Sequence, residues 1–220
     1  MLSSIIGRLA LPPDARILEI GLRTGGNLEM LSAFGRVSAL EMDATARSIA
    51  NKKTLDQFDI RAGFCPTDIP FSGERFDLIC LFDVLEHIED DIRTLVAIRE
   101  LVGSEGKILI TVPAYQWLWS KHDEFLHHKR RYSARDLQHK IDTVGLRVEK
   151  LSFFNTLLFP LAVTARFKDR LLGAASASGS EIPVDPINAL LYQIFSAERY
   201  LLERLSLPFG VSLLAILRPE

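Results

Sequence analysis

The chain has 220 residues, of which 48% are hydrophobic, and this suits one globular domain with a sizeable core. Its formal net charge of −2 gives no overall reason to expect a nucleic-acid partner or an anionic membrane surface, so any cationic site must be local. The two cysteines, Cys65 and Cys80, are too few for a disulfide framework, and we predict a reduced, cytoplasmic protein.

The start of the chain predicts a strand, a glycine turn, a helix and a second strand. Residues 17–20 are a short apolar run that suits a buried strand. Residues 21–26 contain three glycines, which permit the close backbone approach of a phosphate or nucleoside loop. A helical pattern over 27–35 leads to a strand over 37–40. Glu41 ends that strand, where an acidic side chain can accept both hydrogen bonds of a ribose diol, so we predict nucleoside binding.

The glycine turn carries the motif Glu19-Ile20-Gly21-Leu22-Arg23-Thr24-Gly25. This motif resembles the first motif of class I S-adenosylmethionine-dependent methyltransferases, an acidic residue followed by alternating glycines. Arg23 stands where the family has its middle glycine, and it could protrude over the methionine portion of the cofactor or swing outward. Such a loop also occurs as an ordinary tight turn. A nucleoside triphosphate site and a G-x-G-x-x-G dinucleotide site both fit the spacing poorly.

The loops after the next two predicted strands are expected to form the rest of the crevice. Residues 58–61 form the third strand. In the loop after it Phe64 and Cys65 stand where the resemblance implies the contact with an adenine, and they would supply ring packing and backbone hydrogen bonds. Residues 74–82 give a turn and the fourth strand. The segment that follows, 83–88, reads DVLEHI and should face the same crevice, because ligands bind outside the carboxyl ends of parallel strands. It is similar to the corresponding segment of small-molecule methyltransferases of the ubiquinone-biosynthesis type.

Two histidines are catalytic candidates. An imidazole titrates near neutral pH, so His87 could act as a general base or orient a substrate. It could equally be a histidine at a helix start that bonds only to backbone, and both interpretations stay open. His127, further along the chain, is the alternative base.

A fifth strand over 107–113 leads into an unusual stretch at 113–132. It holds both tryptophans, three of the five histidines and a Lys-Arg-Arg run. A connection this long at the sheet edge favours a substrate lid over a solvated basic turn. Aromatic rings and arginines together suit an amphipathic or anionic acceptor. The substrate-binding candidates are Tyr115, Trp119, His122, His128, Arg130, Arg131 and Tyr132.

The same stretch raises the question of a metal ion. Enough ligands for one zinc or manganese ion are present in Glu86, His87, His122, Asp123, His127 and His128. The sequence has no HExxH spacing and no paired cysteines, and methyl transfer from a sulfonium needs no Lewis acid, so we predict no metal. The basic run is short and the chain is mildly acidic, so we also predict no nucleic-acid partner.

Residues 146–154 predict the sixth strand and 209–217 the last, which the resemblance pairs as an antiparallel hairpin. The segment between them, 155–205, predicts a helical insertion with a flexible linker at 173–180. Its apolar run is too short to span a membrane and contains a proline. Three interpretations stay open: a cap over the active site, a dimerisation arm, or a membrane-surface hairpin that reaches a lipid-linked substrate.

We therefore expect a single α/β domain over residues 1–220, with a Rossmann-like, mostly parallel seven-stranded sheet, an antiparallel last strand and helices on both faces. The resemblance implies methyl transfer from S-adenosylmethionine to a small or lipid-linked acceptor, mainly by in-line alignment. The alternative is a binding or scaffold protein that has lost the cofactor because Arg23 replaces a loop glycine. The cofactor-binding candidates that the resemblance implies are Glu19, Gly21, Leu22, Arg23, Gly25, Glu41, Met42, Cys65, Asp83 and Val84.

Overall fold

A computed structural model describes residues 1–172 and 197–220. The strands are β1 (Arg16–Ile20), β2 (Arg36–Glu41), β3 (Asp59–Ala62), β4 (Phe76–Phe82), β5 (Val102–Pro113), β6 (Leu146–Phe154) and β7 (Ser212–Pro219). The helices are α1 (Leu2–Ile6), α2 (Leu28–Ser32), α3 (Ala44–Thr54), α4 (Asp91–Leu101), α5 (Lys121–Phe125), α6 (Ala134–Thr143) and α7 (Phe159–Leu172).

Within the described residues the seven strands form a single sheet in the order β3-β2-β1-β4-β5-β7-β6. Neighbouring strands among β1 to β5 pair in parallel, whereas β7 runs antiparallel to both β5 and β6. The chain starts in the middle at β1, builds outward to β3 and then returns to β4. Ligand crevices form where the strand order reverses in this way, at the carboxyl ends of β1 and β4. The predicted sheet is confirmed.

The sheet buries side chains on both faces, which explains the short apolar runs of its strands. On one face, residues such as Ile17 and Leu78 pack against α1, α2 and α3. On the other, residues such as Leu18 and Ile79 pack against α4 and α6. Because side chains alternate along a strand, Glu19 lies on the same face as Ile17, beneath the helix that follows β1.

Polar side chains cap the amino ends of three of the helices. Asp43, Asp90 and Ser133 each accept a hydrogen bond from the backbone amide three residues on, at 2.6, 2.9 and 3.0 Å. Each bond satisfies one of the amides that an α-helix leaves unpaired at its amino end. These caps place α3, α4 and α6 directly after the loops of the crevice or the lid.

The predicted bounds of two strands are wrong. The last strand was predicted over 209–217, but β7 spans Ser212–Pro219. The fifth was predicted over 107–113, but β5 already begins at Val102, which pairs with Phe76. The pairing register then shifts between Phe76 and Leu78. A Cβ at Gly106 would lie 2.7 Å from the Phe76 carbonyl oxygen, so glycine is what lets the two backbones approach here.

The predicted insertion at 155–205 is partly described. It contains α7, and residues 197–202 are also helical. Buried Glu198 accepts a hydrogen bond from the Thr156 amide at 2.9 Å, and Leu202 is buried in the core, so this segment is tied to the sheet. The predicted linker, 173–180, lies outside the described residues. No helix within residues 1–172 and 197–220 is long and apolar enough to cross a membrane.

Candidate active site

The loops after β1 and β4 pack tightly against each other at the crevice. Gly21, directly after β1, has a φ of +73°, and a Cβ there would lie 2.6 Å from Cγ2 of Val84. Both the backbone conformation and the contact require glycine. This close packing brings the motif after β1 and the motif after β4 into one site, as the sequence predicts.

The carboxylate of Glu41 is held in place at the end of β2. Its two oxygens accept hydrogen bonds from the backbone amides of Arg23, at 2.8 Å, and Asp43, at 2.9 Å. A carboxylate has about four lone-pair sites, so two remain for a ligand. The side chain is therefore oriented before any ligand arrives.

A cavity of about 600 Å³ lies beside Glu41, at the carboxyl ends of β1, β2, β3 and β4. Seven of the ten predicted cofactor-binding residues line it: Gly21, Arg23, Glu41, Met42, Cys65, Asp83 and Val84. Sequence reasoning missed Ile88 and Arg93, which also line it. Ile88 ends the DVLEHI motif and Arg93 lies five residues after it, and that proximity is the signal that could have identified them. Apolar residues form much of the wall, including Leu40, Phe64, Cys65, Val84 and Ile88.

The other three cofactor candidates lie beneath the cavity. Leu22 is in the core, and the amide of Gly25 donates to its carbonyl at 3.0 Å, which closes the turn. Glu19 is 1% exposed and accepts a hydrogen bond from Asn27 Nδ2 at 2.8 Å, while its Oε2 accepts none from the described residues. Burial raises the pKa of Glu19 to about 7. Their assignment as cofactor contacts stays a prediction.

Arg23 adopts the backbone conformation of a glycine and reaches across the crevice. Its φ is +52°, in the left-handed region, so the loop keeps the path that a glycine would allow. Its Nη2 lies 3.3 Å from Nε2 of His87. Since a guanidinium can only donate, the His87 nitrogen accepts. The side chain therefore neither protrudes freely nor swings away, but joins the two motifs of the site.

His87 is held neutral at the crevice. Burial first, and then its neighbours His128 and Arg23, lower its pKa to about 4, and a hydrogen bond with the backbone of His127 opposes this. His87 lines the cavity, whereas the His127 side chain is exposed. The structure thus brings one of the two proposed bases to the site, and both assignments stay predictions.

A cluster of acidic and imidazole groups lies behind His87. Glu86 is fully buried, and in the described part of the chain neither of its oxygens accepts a hydrogen bond of ordinary geometry. Burial and the Asp83 carboxylate raise the pKa of Glu86 to about 8. His128 Nδ1 lies 3.0 Å from Asp123 Oδ1, and its Nε2 lies 4.0 Å from Glu86 Oε1. The rings of His87 and His128 meet edge to face at 4.6 Å.

A second cavity of about 590 Å³ adjoins this cluster. It shares Arg23 and Asp83 with the first cavity, so the two meet at these side chains. Of the seven predicted substrate contacts, His122, His128 and Arg131 line it. Glu86 also lines it, although sequence reasoning considered that residue only as a metal ligand.

Both arginines of the lid are bound to buried carboxylates. Arg131 Nε and Nη2 donate to the two oxygens of Asp123, at 2.7 and 3.1 Å. Arg130 Nη1 lies 2.8 Å from Asp91 Oδ2, and the hydroxyl of Tyr132 donates to the same oxygen at 2.8 Å. The contacts with Asp91 hold the lid on α4 and leave Arg130 and Tyr132 out of both cavity linings, whereas the pair of Arg131 with Asp123 lies within the lid.

The remaining two lid candidates also lie away from the two cavities. Tyr115 stacks on Phe153, with ring centroids 5.1 Å apart, next to the start of α7, and Trp119 is half-buried. Neither is among the residues that line the two cavities. Their role as substrate contacts stays a prediction.

Residues 2–151 match the sequence profile of a family described as a methyltransferase domain. The chain belongs to this methyltransferase family. A protein described as an uncharacterized methyltransferase, from Staphylococcus carnosus (strain TM300), is 34% identical over 112 residues, which make up 49% of this chain and 52% of that relative. The match therefore spans about half the length of the relative.

Solved structures confirm the fold of this methyltransferase. A putative methyltransferase from Bacillus halodurans C-125 superposes with a TM-score of 0.64 at 16% identity, covering 99% of this chain and 100% of that one. A TehB-like SAM-dependent methyltransferase from Corynebacterium glutamicum superposes with a TM-score of 0.59 at 17% identity, covering 99% and 87%. At such identities the likeness shows the fold, which is that of class I S-adenosylmethionine-dependent methyltransferases.

Proposed function

We propose that this methyltransferase binds S-adenosylmethionine in the cavity beside Glu41 and methylates an acceptor held in the second cavity. One observation carries the proposal: the two cavities meet at Arg23 and Asp83. Methyl transfer needs a donor and an acceptor in line and in contact, and two adjoining cavities are the arrangement that permits this.

The first cavity suits the cofactor in size and in chemistry. Its volume of about 600 Å³ falls within the range of small-molecule sites. The spare lone pairs of Glu41 would accept the ribose hydroxyls, and Leu40, Phe64 and Ile88 offer an apolar wall to the adenine. Asp83 supplies a carboxylate to the positively charged methionine portion. S-adenosylmethionine bound here would supply a methyl group that its sulfonium already activates.

The second cavity favours a polar acceptor. His122, His128 and Glu86 line it, and Asp123 neutralises the neighbouring Arg131. We therefore expect a small or lipid-linked acceptor with a hydroxyl or amine at the methylated end. The chain's own contribution is to hold that group against the first cavity and to exclude water. Which histidine takes a proton, if the acceptor loses one, stays a prediction.

The non-catalytic alternative depended on Arg23 closing the loop. The geometry gives it no support, because the Arg23 amide still binds Glu41 and the side chain is turned towards His87. The loop thus keeps its open path beside the first cavity.

Calorimetric titration with S-adenosylmethionine and S-adenosylhomocysteine tests the proposal. We expect micromolar affinity in the wild type, equivalent to about 8 kcal/mol, and a loss of at least tenfold in Glu41→Ala. Glu29→Ala, at an exposed position on α2, is the matched control and should bind as the wild type does. Absence of binding in both the wild type and Arg23→Gly would refute the proposal.

A further inference from the structure

The loop after β4 and the lid bring three potential metal ligands together. One ligand atom each of Glu86, His87 and His128 lies within 4.8 Å of the others. We propose that these side chains bind a divalent transition-metal ion of the zinc type. The sequence offered all three among its possible ligands but showed no known metal-site spacing, and only folding places His128, in the lid, beside the other two.

Glu86 is the observation that points to a cation. Its side chain is fully buried, and neither oxygen has a hydrogen-bond partner among the residues described. The Asp83 carboxylate is close enough to act on Glu86 electrostatically. The ionised form of such a buried side chain is costly unless a cation or hydrogen bonds compensate for its lost hydration. A metal ion bound to Glu86 would provide that compensation.

Both histidines present a suitable nitrogen. Asp123 Oδ1, 3.0 Å from His128 Nδ1, holds the proton on that nitrogen, so Nε2 carries a lone pair and faces Glu86. A carboxylate behind the imidazole is the usual second contact of a metal-bound histidine. His87 has a hydrogen bond with the backbone of His127, and its Nε2 accepts from Arg23. Two oriented imidazoles and one carboxylate are a common ligand set for zinc and similar ions.

The distances require a small adjustment. Ligands of a tetrahedral zinc ion, at bond lengths of about 2.0 to 2.1 Å, lie about 3.3 Å apart. His128 Nε2 and Glu86 Oε1 are 4.0 Å apart, so side-chain rotations that move these two atoms closer by less than about 1 Å bring them to this separation. The second cavity, lined by Glu86 and His128, leaves room for the remaining ligands, such as water or an acceptor oxygen. That last role rests on the proposed function, whereas the site itself does not.

Arg23 competes with the ion. Its guanidinium donates to the His87 lone pair that the metal would use, at 3.3 Å, and its charge repels a cation. The Arg23 residue is exposed and can turn away. This competition predicts a gain of metal affinity when Arg23 is shortened, which a merely structural cluster would not show.

Titration with Co²⁺, read by its visible absorption bands, and with Zn²⁺, read by calorimetry, tests the site without any cofactor. We expect one ion per chain in the wild type, at least a 100-fold loss of affinity in His128→Ala and in the nearly isosteric Glu86→Gln, and roughly a tenfold gain in Arg23→Ala. His139→Ala, on an exposed face of α6, is the control and should bind as the wild type does.

Two results would overturn the inference: no cobalt bands and no zinc heat in either the wild type or Arg23→Ala, or undiminished binding in the double variant Glu86→Gln/His128→Ala. Arg23→Ala alters an exposed residue, so it remains informative if a buried variant fails to fold. Binding of S-adenosylhomocysteine is measured separately, so failure of the metal site and failure of the proposed function are distinguishable.

Discussion

The two cavities differ in how their polar groups are prepared. In the first cavity Glu41 is already oriented by two backbone amides, and the packing of Gly21 on Val84 fixes the loop. In the second cavity Glu86 is buried without a hydrogen-bond partner among the described residues. The polar groups of the first cavity are thus in place before a ligand binds, whereas the hydrogen bonding of Glu86 in the second cavity depends on what enters it. This contrast is what an enzyme with one constant cofactor and a separate acceptor site would need.

The largest expected effect is at Gly21, where the loops after β1 and β4 pack against each other. Gly21→Ala should lower the free energy of unfolding by about 3 to 4 kcal/mol, because it adds a clash with Val84 to the strain of a positive φ. Urea unfolding measures this loss, and cofactor affinity should fall with it.

Gly73→Ala is the matched control for Gly21→Ala. Gly73 has a φ of +79°, but a Cβ there meets no described atom within 4 Å, so the loss should be only about 1 kcal/mol. Equal losses in the two variants would mean that a clash with Val84 contributes nothing to the loss of stability in Gly21→Ala.

The next effect concerns Glu19, which is buried in β1 two residues before Gly21. Its pKa of about 7 in the folded protein lies above the unfolded value of 4.5, so the folded state holds the proton more tightly. The contribution of Glu19 to stability is therefore greatest below pH 4.5 and falls by about 3 kcal/mol as the pH rises to 7. Glu19→Gln, which cannot ionise, should lose this part of the pH dependence.

Unfolding in urea at several pH values between 4 and 8 measures the Glu19 effect. Glu29→Gln, at the exposed position on α2, is the control and should keep the slope of the wild type. A pH dependence that persists unchanged in Glu19→Gln would show that Glu19 is ionised throughout, and that water reaches its carboxylate more readily than its burial implies.

The smallest of these effects concerns the anchor of the lid. Asp91 accepts from Tyr132 at 2.8 Å and from Lys140 at 3.1 Å, and it pairs with Arg130. Burial would raise its pKa, but the bonds from Tyr132, Arg130 and Lys140 outweigh burial and lower it. Asp91→Asn should lower the free energy of unfolding by about 2 kcal/mol.

Urea unfolding near pH 7 and near pH 3 tests the anchor. Because the folded pKa of Asp91 is depressed, its stabilisation is present above the unfolded pKa and is lost as the pH falls through the folded one. The difference between Asp91→Asn and the wild type should therefore shrink in acid. Asp142→Asn, at an exposed position on α6, is the control. A difference that stays constant with pH would exclude the ion pairs as its cause.

Much of the lining of the first cavity was predictable from sequence because its signals are local. The glycines after β1, the acidic end of β2 and the segment after β4 each stand directly after a strand, and parallel strands bring such positions to one edge. The order of the strands and the antiparallel last strand came from the resemblance to methyltransferases, and both are confirmed. The start of β5 was predicted wrongly because a glycine-containing segment reads as a loop unless its strand partner is known.

The lid shows what sequence alone could not decide. Its composition indicated aromatic rings and cations near the sheet edge, but not which cation meets which carboxylate. Tertiary packing directs Arg130 to Asp91 and Arg131 to Asp123, and it places His128 beside Glu86. Sequence determined the fold and much of the lining of the first cavity, since strand, turn and cap signals act over a few residues. Only the tertiary structure decided the partners of the buried charges, because those contacts join segments whose separation along the chain carries no periodic signal.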